Sequence, residues 1–97
     1  MNYIKDIKLE ENNFYNMVIE IPKGTNSKYE LVEPNNSEVK EVRKVVGKYP
    51  FYYGCFPQTY AGDKDPLDAI LFTNRRYNSL DIVKTQIIGV IKTIDNG

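Results

Sequence analysis

The sequence contains no histidine, and a single cysteine stands among its 97 residues. The missing histidine excludes Ser-His and Cys-His hydrolysis and the commonest kinds of zinc site. Cys55 has no partner for a disulfide within the chain, which is typical of a reducing compartment. Since no histidine can activate its thiol, we expect Cys55 to be a small buried residue. Any chemistry must therefore depend on carboxylates, lysine, arginine and tyrosine.

The sequence also has no excess of charge and no long apolar run. Its 13 basic and 13 acidic residues cancel, so it lacks the summed positive field that attracts nucleic acid or anionic membranes. No apolar run approaches the roughly 18 residues that span a bilayer. Residues 1–13 lack the apolar stretch of a secretory signal. We therefore expect a soluble, cytoplasmic protein that binds neither nucleic acid nor membrane.

Length and composition favour one folded domain that spans residues 1–97. The sequence is 41% hydrophobic and 27% charged, which is typical of globular rather than disordered chains. It contains no repeat, no low-complexity segment and no interdomain linker. A chain of this length supports one small core.

The first half of the sequence predicts two strands. Phe14–Pro22 is rich in strand formers, and its alternation puts Glu20 on the face opposite the two isoleucines. A turn that contains Gly and Asn follows, so we expect Lys28–Val32 to return as the second strand of a hairpin. In that strand, Lys28 and Glu30 share a face.

Further strands are predicted along the rest of the chain. Val39–Val46 is compatible with a helix or an irregular strand, and we favour the strand. Tyr49–Tyr60 has two prolines and a glycine, which favours an edge strand or an extended segment. Apolar strands are also expected within Asp65–Phe72 and Asp81–Ile94. Five or six strands with short turns indicate an antiparallel sheet or small barrel. Because Asn-Gly is a favoured hairpin turn, Asn96-Gly97 at the end of the chain predicts that a returning strand is missing.

Three carboxylates lie within the six residues from Asp63 to Asp68, at the start of an apolar strand. Ionised carboxylates this close repel one another unless cations lie among them. Oxygen ligands suit hard ions such as Mg²⁺, Mn²⁺ or Ca²⁺. A solvated acidic loop is the alternative. An EF-hand is disfavoured, because Pro66 and Leu67 interrupt the alternation of its ligands and no helices flank the loop.

The segment from Asp63 to Ala69 resembles the Asp-x-Asp-Pro-x-Asp signature of the soluble, magnesium-dependent inorganic pyrophosphatases. Three further motifs similar to those of this family follow the family's order: Glu20 to Gly24 with Lys28 to Glu30, Tyr49 to Gly54 with Pro57 to Thr59, and Gly89 to Asp95. The resemblance implies a mainly β chain within the α+β fold of the complete family. It also implies a small antiparallel OB-like β-barrel, here its N-terminal portion and incomplete at the C-terminal end.

The resemblance also implies a reaction and a set of roles. The reaction is the hydrolysis of pyrophosphate to two phosphates in a cytoplasmic homo-oligomer. Asp65 would accept the proton of the attacking water. The implied ligands of Mg²⁺, for which Mn²⁺ can substitute, are Asp63, Asp68, Asp95 and Glu20. The residues implied to bind substrate are Lys28, Arg43, Tyr53 and Glu30.

Two departures from the family's pattern bear on activity. Lys64 is a cation between two of the expected metal-binding aspartates. The family's remaining aspartate, lysine and Tyr-Lys pair fall beyond Gly97, and since phosphoryl transfer depends on such groups we expect impaired turnover. Two alternatives stay open: a shortened relative that binds metal or phosphate without catalysis, and a small barrel that binds oligonucleotides or a protein through Tyr49–Tyr60. The zero net charge disfavours the second.

Overall fold

A computed structural model describes residues 1–59 and 67–86, which form seven β-strands and no helix. The strands are β1 (Glu10–Glu11), β2 (Phe14–Ile21), β3 (Ser27–Leu31), β4 (Val39–Lys44), β5 (Tyr52–Phe56), β6 (Leu67–Leu71) and β7 (Ile82–Thr85). All their pairings are antiparallel. The mainly β, antiparallel fold predicted from the sequence is therefore confirmed. Within these two ranges no helix is long and apolar enough to cross a membrane.

β2 is the central strand of the larger sheet because it pairs along both edges. Val18 lies opposite Cys55 of β5 and also opposite Ile82 of β7. β1 pairs with the beginning of β2, and β6 pairs with β5 on the side away from β2. Tyr49–Tyr60 was predicted to be an edge strand or an extended segment: it does contain a strand, but an inner one, so only the edge position was wrong. Its prolines flank Tyr52–Phe56 rather than interrupt it, so the strand keeps the N–H groups that both neighbours need.

β3 pairs with β4 in a separate two-stranded sheet, so the predicted hairpin between β2 and β3 was also wrong. The turn between β2 and β3 forms its backbone hydrogen bonds with the segment before β5. Gly24, at φ +88°, donates its N–H to the Tyr49 carbonyl at 2.8 Å, and the Tyr49 N–H donates to the Thr25 carbonyl at 2.9 Å. These bonds hold the turn against the segment before β5, and the chain leaves the larger sheet there.

One face of the larger sheet carries the core, which consists of Met17, Ile19, Tyr52, Ala69 and Val83. Buried hydroxyls need hydrogen-bond partners, and Tyr52 finds two in the loop after β6. Its hydroxyl donates to the Arg75 carbonyl at 2.9 Å and accepts from the Tyr77 N–H at 3.1 Å. The two tyrosine rings meet edge to face with centroids 5.5 Å apart. The core thus fixes the loop that leads to β7.

Candidate active site

Three of the residues predicted to form a site share the sheet face opposite the core. Successive side chains of a strand point to opposite faces. Glu20 follows Ile19 of the core, and Tyr53 follows Tyr52 of the core. Asp68 precedes core residue Ala69 on β6. The described strands therefore bring Glu20, Tyr53 and Asp68 onto one surface from three neighbouring strands.

The Glu20 carboxyl lies in a partly buried environment with an excess of negative charge. Burial raises the pKa of Glu20 to about 7. A hydrogen bond from the Leu31 backbone opposes this rise, the Asp68 and Glu30 carboxylates add to it, and the Lys28 ammonium lowers the pKa. Such an arrangement favours a bound cation, which would stabilise the ionised form. The sequence could not predict the role of the Leu31 N–H. Every residue other than proline has a backbone N–H, so nothing in the sequence marks this one.

Tyr53 and Cys55 line the same surface in their protonated forms. Burial, a hydrogen bond to Asp68 and the charge of Glu20 raise the pKa of the Tyr53 hydroxyl well above its usual value. The hydroxyl therefore remains a donor at physiological pH. Cys55 is 2% exposed, and burial is the main cause that raises the pKa of its thiol. The prediction of a small buried cysteine is confirmed.

The two-stranded sheet supplies positive charge next to these carboxylates. Lys28 Nζ lies 3.3 Å from Glu30 Oε1, which confirms that these side chains share a face. Arg43 of β4 lies directly opposite Lys28 and is exposed. Since Glu20 experiences the charges of both Lys28 and Glu30, β3 faces the carboxylates of the larger sheet. The arrangement can accept an anion at the cations and a metal ion at the carboxylates.

Three predicted site residues, Asp63, Asp65 and Asp95, lie outside the described residues. Across residues 1–59 and 67–86, no group of three or more His, Cys, Asp or Glu side chains is arranged to hold a metal ion. Glu20 and Asp68 would therefore need further ligands, which the sequence offers in the acidic segment before β6.

Replacing Glu20 by Gln is expected to stabilise the metal-free protein at alkaline pH. The folded-state pKa, about 7, lies above the ordinary value of 4.5. The stability that the protonated carboxyl contributes is therefore complete below pH 4.5 and is lost as pH rises through 7. Gln abolishes this loss because its side chain is uncharged at every pH. After allowance for solvent screening, we expect a gain of about 2 kcal/mol near pH 8.5.

Urea unfolding in EDTA, near pH 4 and near pH 8.5, measures this gain. Glu38→Gln, at an exposed loop position, is the matched control. Equal free energies of unfolding for Glu20→Gln and the parent at the higher pH would contradict the electrostatic origin of the effect.

The chain is similar in sequence to inorganic pyrophosphatases. The family model for inorganic pyrophosphatase matches residues 17–97. The inorganic pyrophosphatase of Dictyostelium discoideum is 35% identical over 91% of this chain and 38% of its own length. That of Picrophilus torridus is 35% identical over 84% of this chain and 46% of its own length. The chain therefore spans less than half the length of these two relatives.

Solved structures agree with the sequence matches. The inorganic pyrophosphatase from Thermus thermophilus superposes with a TM-score of 0.73 at 31% identity, covering 84% of this chain and 49% of that one. That from Neisseria gonorrhoeae superposes with a TM-score of 0.77 at 25% identity, covering 90% of this chain and 52% of that one. The fold and the sequence thus lead to the same set of proteins.

Proposed function

Since the chain belongs to the inorganic pyrophosphatase family, we propose that it binds pyrophosphate together with a divalent metal ion and catalyses the hydrolysis of pyrophosphate to two phosphates. We propose that it acts as one domain, in the cytoplasm and within a homo-oligomer. The observation that carries the proposal is the convergence of Glu20, Tyr53 and Asp68 on one face, with Lys28 close enough to lower the pKa of Glu20.

The carboxylates fit a hard divalent ion. Asp68 and Glu30 both disfavour ionisation of Glu20, so the described residues carry negative charge that a cation would offset. All the candidate donors are oxygens, which suits Mg²⁺, with Mn²⁺ as a substitute. The residues that would hold it are Asp63, Asp68, Asp95 and Glu20. When bound, such an ion supplies charge neutralisation for pyrophosphate and lowers the pKa of a coordinated water.

The remaining roles, in proton transfer and substrate binding, fall to side chains of this chain. Asp65 accepts a proton from water as the water oxygen bonds to phosphorus and the bridging P–O bond breaks, which releases phosphate. Lys28 and Arg43 bind phosphate oxygens, Arg43 through its planar fork. Glu30 orients the Lys28 ammonium through their ion pair at 3.3 Å. Tyr53, kept protonated, would turn its single O–H donor from Asp68 to a phosphate oxygen when substrate binds.

Phosphate release from pyrophosphate, measured with Mg²⁺ and with EDTA, tests this function. We expect release that depends on Mg²⁺. Calorimetry with non-hydrolysable imidodiphosphate separates binding from turnover: if the chain binds the analogue with Mg²⁺ but releases no phosphate, it is the non-catalytic alternative. Absence of both release and binding would reject the proposed function.

The oligonucleotide-binding alternative depended on the aromatic residues of Tyr49–Tyr60, and two of its four tyrosines are poorly placed for it. Tyr52 is 4% exposed and belongs to the core. Burial raises the pKa of the Tyr53 hydroxyl, and the Asp68 and Glu20 carboxylates lie close enough for their charges to raise it further. Stacking on bases requires exposed aromatic faces, which the buried Tyr52 lacks, and the carboxylates beside Tyr53 would repel the phosphates of a nucleic acid.

A further inference from the structure

Ser27, Glu41 and Lys44 form a closed network on the two-stranded sheet. The Ser27 hydroxyl donates to Glu41 Oε1 at 2.5 Å and accepts from Lys44 Nζ at 2.8 Å. Lys44 Nζ lies 2.8 Å from Glu41 Oε1. Ser27 is 2% exposed, whereas Glu41 and Lys44 are surface residues. A buried hydroxyl thus holds the tips of two long side chains that would otherwise be mobile in solvent.

The network spans an irregularity in the pairing of β3 with β4. Lys28 lies opposite Arg43, but the next pair along β3 involves Glu41, so Val42 has no partner on β3. Residues three apart, such as Glu41 and Lys44, point to opposite faces of a regular strand. The extra residue brings both of them to the face that the serine occupies. It leaves Lys28 and Arg43 together on the other face.

This register needs a restraint. Lys28 and Arg43 are like charges directly opposite each other, which is unfavourable in a strand pair. A two-stranded sheet specifies its register weakly, and a shift of one residue moves side chains to the other face. If Glu41 kept its place and the bulge were lost, Val42 would lie opposite Lys28 and Arg43 would turn away from it.

We propose that Ser27 is a positioning residue: by holding Glu41 and Lys44 it fixes the bulge at Val42 and keeps Lys28 and Arg43 paired as a phosphate-binding site. The proposal rests on the proposed function, in which these two cations bind substrate. Ser27 does not touch substrate. Its hydroxyl acts on the opposite face, through the backbone register of β3 and β4.

Ser27→Ala is expected to weaken binding of inorganic phosphate, titrated in the presence of Mg²⁺, by about tenfold or more, since the two hydrogen bonds that are lost both go to charged partners. Affinity for Mg²⁺ alone should be unchanged, because its carboxylate ligands do not depend on this register. The backbone contact between Lys28 and Arg43, observed as a cross-strand nuclear Overhauser effect, should disappear. Ser37→Ala, at an exposed loop position, is the matched control and should behave as the parent.

If Ser27→Ala does not fold, a second pair of variants, in which the charges at positions 41 and 44 are changed, tests the same proposal. Glu41→Lys combined with Lys44→Glu preserves the ion pair and both hydrogen bonds of the serine, so we expect the parent's register. Glu41→Lys alone should lose it. Parent-like phosphate affinity in Ser27→Ala, or equal losses of phosphate and Mg²⁺ affinity, would overturn the proposal. If the parent protein binds no phosphate, the proposed function is rejected. In that case the positioning role is tested by the Lys28–Arg43 contact alone, and its persistence in Ser27→Ala would overturn that role.

Discussion

Replacing Asp65 by Asn is expected to slow pyrophosphate hydrolysis by about a hundredfold or more, because a general base typically contributes at least that factor. Asn has nearly the same shape as Asp, but its amide cannot accept the proton of the attacking water. Because Asn preserves the size and polarity of Asp, the unfolding temperature should change little. Binding of imidodiphosphate should persist, since phosphate contacts are assigned to other residues.

Asp6→Asn is the control for this comparison. The Asp6 carboxylate is exposed and accepts the Asn2 N–H at 2.8 Å, a bond that an Asn side chain oxygen can also accept. Its turnover should equal that of the parent. Undiminished phosphate release by Asp65→Asn would remove Asp65 from the mechanism, and loss of imidodiphosphate binding would assign it to substrate or metal binding instead.

Replacing Gly54 by Ala is expected to destabilise the protein by about 3 kcal/mol, at the upper end of the usual cost of overpacking. A Cβ at Gly54 would lie 1.8 Å from the Val18 carbonyl oxygen and 3.1 Å from the Ile19 Cα. Both atoms belong to the backbone of β2, so neither can swing aside as a side chain would. The two central strands must separate, which disturbs the irregular register between Ile19 and Ile21.

Urea unfolding of Gly54→Ala against Gly47→Ala separates steric crowding from backbone strain. Gly47 has a φ of +79° and open space around its Cβ position, so alanine there meets only the conformational cost. That cost is on the order of 1 kcal/mol. If the two variants unfold at the same urea concentration, the close approach of β2 and β5 contributes nothing measurable.

Alternation along the sequence predicted which side chains share a face, because that depends only on neighbouring residues. It placed Glu20 on the face opposite Ile19 and put Lys28 with Glu30, and the ion pair of the latter two confirms their shared face. For Ile21 it was wrong, because the irregular register after Ile19 pairs Ile21 with Tyr53, which lies on the face of Glu20. Which strands pair with each other was harder to predict from the sequence. Whether β3 pairs with β2 or β4 depends on backbone hydrogen bonds between the Gly24 turn and Tyr49, which composition does not encode.

The irregular registers were also beyond prediction. Glu41 and Lys44 are three residues apart, a spacing that separates side chains in a regular strand. Only the bulge at Val42 brings both to Ser27, and a bulge arises from the pairing of two strands rather than from either one alone. The roles of Asp63, Asp65 and Asp95 stay predictions that the proposed experiments test.

The position of β2 has a consequence for the order of events during synthesis. Its partners β5 and β7 come much later in the chain, whereas β3 and β4 are near neighbours that can pair early. While the ribosome delivers the intervening residues, the apolar segment that includes Met17 and Ile19 has one edge without β5 and the other without β7. Exposed apolar strands with open edges are the parts of nascent chains that associate wrongly and that chaperones bind. The strand that organises the finished sheet is therefore the segment of the growing chain most in need of protection.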